Sequence, residues 1–273
     1  MKFSVLMSVY DKENPKYLDA ALNSVFNQTM RADEVILIKD GILNEKLETV
    51  IKKYQTRYPE LITYRFRKNR GLGYALRDGV TLCNYDIIVR MDTDDIALSN
   101  RFEKQINFMK NHPEIDVVGS NIVEYDEDLK EQIDYKIVPE TNEQLQKYLK
   151  KRNPFNHMTV AFKKEAVVAS GNYQCMPGFE DYYLWCRMSK NGYKFYNIQE
   201  CLMTVRAGEP MIQRRGGLSY IKKIIKFEKQ ILKLKITNLF QFIINIIIRC
   251  FFSIVPLKMR SYFYHYLRES YEG

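Results

Sequence analysis

Three carboxylates fall within four residues, Asp92-Thr93-Asp94-Asp95, directly after the apolar run Ile87-Ile88-Val89 and Met91. A run of that kind reads as a buried strand, and like charges crowded at its end repel unless a cation neutralises them. Hard oxygen ligands at the carboxyl end of a strand suit Mg²⁺ or Mn²⁺, ions that keep open positions for water or phosphate. The first reading of the tetrad is therefore a divalent ion bridging this loop to a diphosphate. The second is capping, with Asp94 or Asp95 closing the start of a helix from Leu98 to Lys110. A second acidic pair, Glu180-Asp181, follows Pro177-Gly178-Phe179 and opens a helix running to Lys190, stopped by Asn191-Gly192. The helix dipole favours acids there. One capping acid would explain itself, but two, with Trp185 one turn on, fit a general base beside a flat apolar platform.

The elements that position these acids alternate. Phe3 to Tyr10 reads as a buried strand, Tyr17 to Gln28 as a helix, Glu34 to Lys39 as a strand ended by Asp40-Gly41, and Lys46 to Tyr58 as a helix. Ile62 to Phe66 is a third strand. The loop Asn69-Arg70-Gly71-Leu72-Gly73 leads into a helix from Tyr74 to Cys83, and Asp86 to Met91 is a fourth strand. This order implies right-handed crossovers and a parallel sheet covered by helices, with ligands outside the carboxyl ends of the strands. That edge carries Val9, Tyr10 and Glu13, then Asp40, then Arg67, Asn69 and Gly71, then the tetrad. The glycine loop lacks a full GxGxxG and follows the third strand, so it reads either as a helix N-terminus facing phosphate or ribose or as an ordinary helix-entry turn. Beyond residue 112 the alternation breaks. Asp116 to Tyr125 and Met158 to Phe162 read as strands, Asn142 to Lys151 as a helix, and Asp126 to Asp128 as a solvated hairpin turn.

Charge divides the chain. Residues 1–213 hold 30 basic and 30 acidic side chains, residues 214–260 hold 11 basic and one acidic, and the net charge of +9 therefore resides in one C-terminal stretch. A neutral body with a basic, apolar tail fits an anionic membrane surface, not nucleic acid. Leu239 to Val255 is interrupted by Gln241, Asn245 and Arg249, so it reads as an interfacial helix, or as one packed on the core, in preference to a membrane span. Five cysteines show neither a CxxC pair nor ligand spacing with the three histidines, which predicts free thiols in a reducing compartment. The short run Phe3 to Tyr10 passes into Asp11-Lys12-Glu13 without a cleavage site. It predicts a cytoplasmic chain with no signal peptide.

Six stretches, in order, resemble family 2 glycosyltransferases of the GT-A fold, in the branch that builds bacterial O-antigen, capsule and exopolysaccharide repeat units. They are Ser4-Val5-Leu6-Met7-Ser8-Val9-Tyr10, Ile38-Lys39-Asp40-Gly41, Asn69-Arg70-Gly71-Leu72-Gly73, Arg90-Met91-Asp92-Thr93-Asp94-Asp95, Asn153-Pro154-Phe155-Asn156-His157 and Phe179-Glu180-Asp181-Tyr182-Tyr183-Leu184-Trp185. The resemblance implies an α/β fold with a Rossmann-like, mostly parallel sheet. Its catalytic domain would span 1–217, as a nucleotide-sugar half (1–111) and an acceptor half (112–217), followed by an amphipathic membrane-association tail at 218–273. It implies inverting hexosyl transfer from a UDP-sugar to a lipid-linked (polyprenyl-diphosphate) saccharide, with Mn²⁺ or Mg²⁺, by a peripheral enzyme at the cytoplasmic face of the membrane. On this reading Val9, Tyr10 and Glu13 flank the base, Asp40 accepts from uracil N3–H, and Arg67, Asn69, Gly71 and Thr93 complete the donor site. Asp92 contacts ribose or sugar, Asp94 binds the ion with Asp92 and Asp95 beside it, and Asp181 is the catalytic base, aided by Glu180. Arg206 and Arg214 face the leaving diphosphate, and Trp185 and His157 the acceptor. Gln213-Arg214-Arg215 departs from the QxxRW of processive synthases. Two other readings remain: a membrane-associated sugar-nucleotide scaffold without transfer activity, which has no use for Asp181, and a nucleotidyltransferase, which lacks its basic glycine-rich signature after the first strand.

Overall fold

The computed structural model describes residues 1–207, 216–256 and Met259. The first half follows the expected alternation: β1 (Phe3–Val9), α1 (Pro15–Phe26), β2 (Glu34–Lys39), α2 (Glu45–Arg57), β3 (Leu61–Arg65), α3 (Leu72–Leu82) and β4 (Ile87–Arg90). β3, β2, β1 and β4 pair in that order and in parallel. These strands are near-continuous apolar runs because helices cover both faces of the sheet. One apolar layer joins β1 and β2 to α1 and α2 through Leu18, Leu22, Leu47 and Ile51, and the other joins them to α3 through Leu76 and Val80.

The second half extends the same sheet. β5 (Ile96–Ala97), α4 (Arg101–Asn111), β6 (Val117–Tyr125), β7 (Gln132–Lys136), α5 (Asn142–Tyr148), β8 (Ala161–Lys163), α6 (Lys164–Ala169), α7 (Glu180–Lys190) and β9 (Phe195–Arg206) follow in order. The strand order is β3-β2-β1-β4-β8-β6-β9-β5, with β7 on β6 as a hairpin turned at residues 126–131. Antiparallel β8 joins the two halves. The strand expected at Met158 to Phe162 is instead a 3₁₀ turn, His157–Thr159, and the short β8. β9, a 12-residue strand, is absent from the sequence reading; its Asn197, Gln199, Glu200 and Thr204 break any apolar period.

The tail forms two helices, α8 (Gly217–Lys233) and α9 (Leu239–Ile254). The division that the resemblance places between residues 217 and 218 does not coincide with a break in packing. Ile224, Phe227 and Ile231 of α8 are buried in the same apolar cluster as Leu184, Trp185 and Phe195, so α8 packs into the same core.

Candidate active site

The carboxyl ends of β1, β2 and β4 converge, and with them the acids. β4 ends at Arg90, whose side chain is almost fully buried and grips Asp92 with both terminal nitrogens. Residues two apart on extended backbone share a face, so an arginine at the last strand position meets the first carboxylate of the loop. Thr93 donates to the Ser8 carbonyl (3.2 Å) and to Glu13 (3.3 Å), which pins the loop to the end of β1. Asp95 is buried and accepts from the Arg206 backbone N–H (3.2 Å). Neither Asp94 nor Asp95 caps the following helix, because the two-residue β5 intervenes and Asn100 occupies the N-cap position.

One oxygen of each of Asp92, Asp94 and Asp95 lies within 4.8 Å of the others. Burial, with Asp92 and Glu13 adding repulsion, raises Asp94 from 3.8 to about 7. Burial and the charges of Asp94 and Asp92 push Asp95 well above the carboxylate range. A cluster of hard oxygens whose members resist ionising together is the donor set that a divalent cation stabilises. The residues fit such an ion.

Asp40, buried at the end of β2, accepts from the backbone N–H groups of Arg70 (2.7 Å) and Gly71 (2.8 Å). A carboxylate offers four lone-pair sites, so two remain after the β3–α3 loop is held. The fit is close: a Cβ on Gly41, at φ +104°, would lie 2.8 Å from the Asn69 nitrogen. Arg67, Asn69 and Tyr10 are exposed on this edge.

The N-terminus of α7 meets the N-terminus of α3, where a Cβ on Gly73 would lie 2.9 Å from Glu180 Cγ. Glu180 turns back to accept from the Gly178 N–H (2.9 Å). Asp181 accepts from Asn153 Nδ2 (2.5 Å), and its Oδ2 lies 4.0 Å from His157 Nδ1. The other ring nitrogen of His157 is bonded to the Tyr173 hydroxyl (2.9 Å). Burial raises both acids, and it lowers His157 well below its ordinary value with Arg90 reinforcing the effect. His157 is therefore neutral beside Asp181, and the Asp181 carboxyl is moved toward the range in which a general base works.

Two expectations change. Trp185 is fully buried; its ring packs edge-on against Phe155 at 5.2 Å and near Phe162, so no face is available to an acceptor sugar. One turn beyond Asp181 the helix has rotated into the core, a direction that residue spacing on α7 does not reveal. Arg206 is on the site but engaged: Nη1 donates to the Asp94 carbonyl, Nε donates to the Glu127 carbonyl (3.1 Å), and the guanidinium lies over Tyr17 at 4.1 Å. It shapes the tetrad loop, which leaves it poorly placed to meet a diphosphate. Arg214 lies outside the described residues.

Sequence reading gave no role to Arg90, Asn153, Tyr173 or Arg101. Arg101 is buried, donates to the Arg90 carbonyl (2.7 Å), and is lowered to about 9 by burial and by Arg90. The available signal was Arg90 itself, a cation inside an apolar strand two residues before Asp92.

The fold and this edge of the sheet define a nucleotide-sugar transferase of the GT-A class. The profile of glycosyl transferase family 2 matches residues 4–169. The chain is 39% identical to the amylovoran biosynthesis glycosyltransferase AmsE of Erwinia amylovora, over 96% of this chain and 97% of that one. It is 38% identical to an Escherichia coli enzyme, UDP-Gal:alpha-D-GlcNAc-diphosphoundecaprenol beta-1,3-galactosyltransferase, over 96% and 95%. Among solved structures, S. aureus TarS 1–349 superposes with a TM-score of 0.66 at 15% identity, covering 92% of this chain and 72% of that one. The Pyrobaculum calidifontis mannosyltransferase PcManGT, solved with GDP-Man and Mn²⁺, gives 0.65 at 14%, covering 85% and 64%. The chain belongs to glycosyltransferase family 2, in the branch serving bacterial surface-polysaccharide synthesis, and is a hexosyltransferase.

Proposed function

We propose that this enzyme moves a hexose from a UDP-sugar to a lipid-diphosphate-linked saccharide with inversion, using Asp181 as base and the tetrad as the site of Mn²⁺ or Mg²⁺. The observation that carries the reading is the shared cation: buried Arg90 holds Asp92 of the tetrad and acts electrostatically on both Asp181 and His157. This supports reading donor and base sites as parts of one centre. The donor and acceptor classes are supported by the E. coli relative, whose name specifies UDP-Gal, a diphosphoundecaprenol-linked acceptor and a β product.

Asp181 takes the acceptor hydroxyl proton as that oxygen bonds to the anomeric carbon. The bond from that carbon to the diphosphate breaks, and its electron pair leaves with UDP. Asn153 orients Asp181, and neutral His157 leaves the carboxylate free to accept a proton. Asp94, with Asp92 and Asp95 beside it, would hold a divalent ion, which would supply Lewis acidity toward the diphosphate. Asp40 holds the β3–α3 loop with two oxygen sites left for the base, while Val9, Tyr10, Glu13, Thr93, Asn69, Gly71 and Arg67 line the same edge. The described cysteines are all free, which supports a cytoplasmic setting. No described helix is long and apolar enough to cross a membrane, which supports peripheral attachment.

The test is UDP release from a panel of UDP-sugars with a lipid-linked acceptor, for wild type, Asp181→Asn and Glu180→Gln. Asp181→Asn should lower turnover by roughly 10²–10⁴-fold with donor affinity retained, and Glu180→Gln should do less harm. Near-normal turnover in Asp181→Asn would remove the base from this position.

A further inference from the structure

The outer helix of the tail is rolled the wrong way for water. α9 turns its polar side chains inward: Asn245 and Ser253 are buried, and Asn245 Nδ2 donates to the Lys150 carbonyl (2.9 Å). Arg249 donates to the Lys151 carbonyl (2.9 Å), and its Nε pairs with buried Glu228 of α8 (2.9 Å). Phe240, Ile243, Ile247, Phe251 and Ile254 remain outside, spaced three or four residues apart along one face; Phe240 is 71% exposed and Ile247 62%. Scattered apolar residues on a surface need no explanation, but a continuous apolar face marks a contact with something apolar.

Charge decides what that is. Lys222, Lys226, Lys229 and Lys233 are exposed along the face of α8 opposite buried Ile224, Phe227 and Ile231, and Lys223 and Lys235 are exposed as well. A second copy docked by two-fold symmetry would bring the same basic hairpin against itself, whereas anionic headgroups neutralise it. At 16 residues α9 is about 24 Å long, short of the ~30 Å hydrocarbon core. Its inward side chains are tied to residues 150 and 151, so it lies along a surface and does not cross it.

We infer that the outer face of α9 inserts into the lipid bilayer, with the α8 lysines on anionic headgroups, and that this docking holds the Asp181 pocket at the membrane surface. The connection to the pocket is short. Phe179, immediately before Glu180, stacks on Phe227 of α8 at 4.5 Å, and the Arg249 guanidinium lies over the Tyr182 ring at 5.5 Å. The inference rests on the hairpin alone and stands whether or not the donor and acceptor assignments hold.

The experiment is flotation of the full chain with vesicles of phosphatidylglycerol and phosphatidylethanolamine, without nucleotide sugar. Wild type should float. Ile243→Gln with Ile247→Gln should reduce partitioning by at least about tenfold, because two apolar side chains no longer leave water. Lys226→Gln with Lys229→Gln and Lys233→Gln should weaken binding at low salt and flatten its salt dependence. All five substituted positions are exposed, and melting curves of both variants should match wild type. Wild type that stays with neither anionic nor neutral vesicles, or an Ile243/Ile247 variant that floats as well as wild type, overturns the inference. So does a dimer in sedimentation that the Ile243/Ile247 change dissociates, which would give the face to a second copy.

Discussion

Replacing Asp94 with Asn should stabilise the metal-free enzyme while abolishing its response to Mn²⁺. The carboxyl of Asp94 is raised from 3.8 to about 7, with burial as the first cause and Asp92 and Glu13 next. The unfolded chain loses this proton near pH 4 and the folded chain near 7, so between those values folding takes up a proton and stability falls as pH rises. Three pH units at about 1.36 kcal/mol each set an upper bound of about 4 kcal/mol on that loss. Asp95 shares the same repulsion, so about half, roughly 2 kcal/mol, is assigned to Asp94. Asn keeps the shape and carries no charge. Without metal at pH 7.5 the variant should melt about 4–6 °C above wild type, and its Tm should not decline between pH 5 and 7. Mn²⁺ should raise the Tm of wild type at pH 7.5, raise it less at pH 5.5 where protons compete, and leave the variant nearly unmoved. The assay is thermal unfolding in chelator and in Mn²⁺ across that pH range. A variant that melts lower than wild type in chelator, or gains as much from Mn²⁺, would refute the account of the tetrad.

Three further outcomes follow from the geometry. Burial raises Asp181, so the acidic limb of the kcat profile should lie above the ordinary aspartate range and vanish in Asp181→Asn, measured at saturating metal. Trp185→Ala should destabilise the fold by about 3–5 kcal/mol, and Trp185→Phe, read by denaturant titration and acceptor KM, should leave KM unchanged. A large KM effect with an unchanged midpoint would return the ring to the acceptor. Asp40→Ala removes the acceptor for two backbone N–H groups and frees the β3–α3 loop, so calorimetry should show weaker UDP binding and limited proteolysis faster cleavage near Lys68.

The nucleotide half was legible because each of its elements solves a local problem. β2 runs from Glu34 to Lys39 as expected, and α7 ends where Asn191-Gly192 says it must. The second half was harder because its strands answer to neighbours and not to their own period. β9 pairs with β6 through two register shifts, so no single alternation runs along it. Trp185 and Arg206 were misread for one reason: spacing along an element locates a residue but not the side that its neighbours leave open. The tail shows the same limit. Its composition indicated a basic, apolar segment, but only packing reveals that α8 buries its apolar residues and exposes its lysines while α9 faces outward with its greasy side.

The charge arrangement around β4 explains how three aspartates persist at one strand end. Asp92 is paired with Arg90, a buried cation fixed in the fold; Asp95 accepts from the Arg206 backbone N–H while burial and the charges of Asp94 and Asp92 push its carboxyl well up; Asp94 is raised by burial, then by Asp92 and Glu13. The remaining repulsion falls on Asp94 and Asp95, where a divalent cation would relieve it. The same buried cation, Arg90, opposes the burial that raises Asp181 and adds to the burial that lowers His157. Substituting Arg90 would therefore leave Asp92 uncompensated and raise Asp181 further, disturbing donor site and base together.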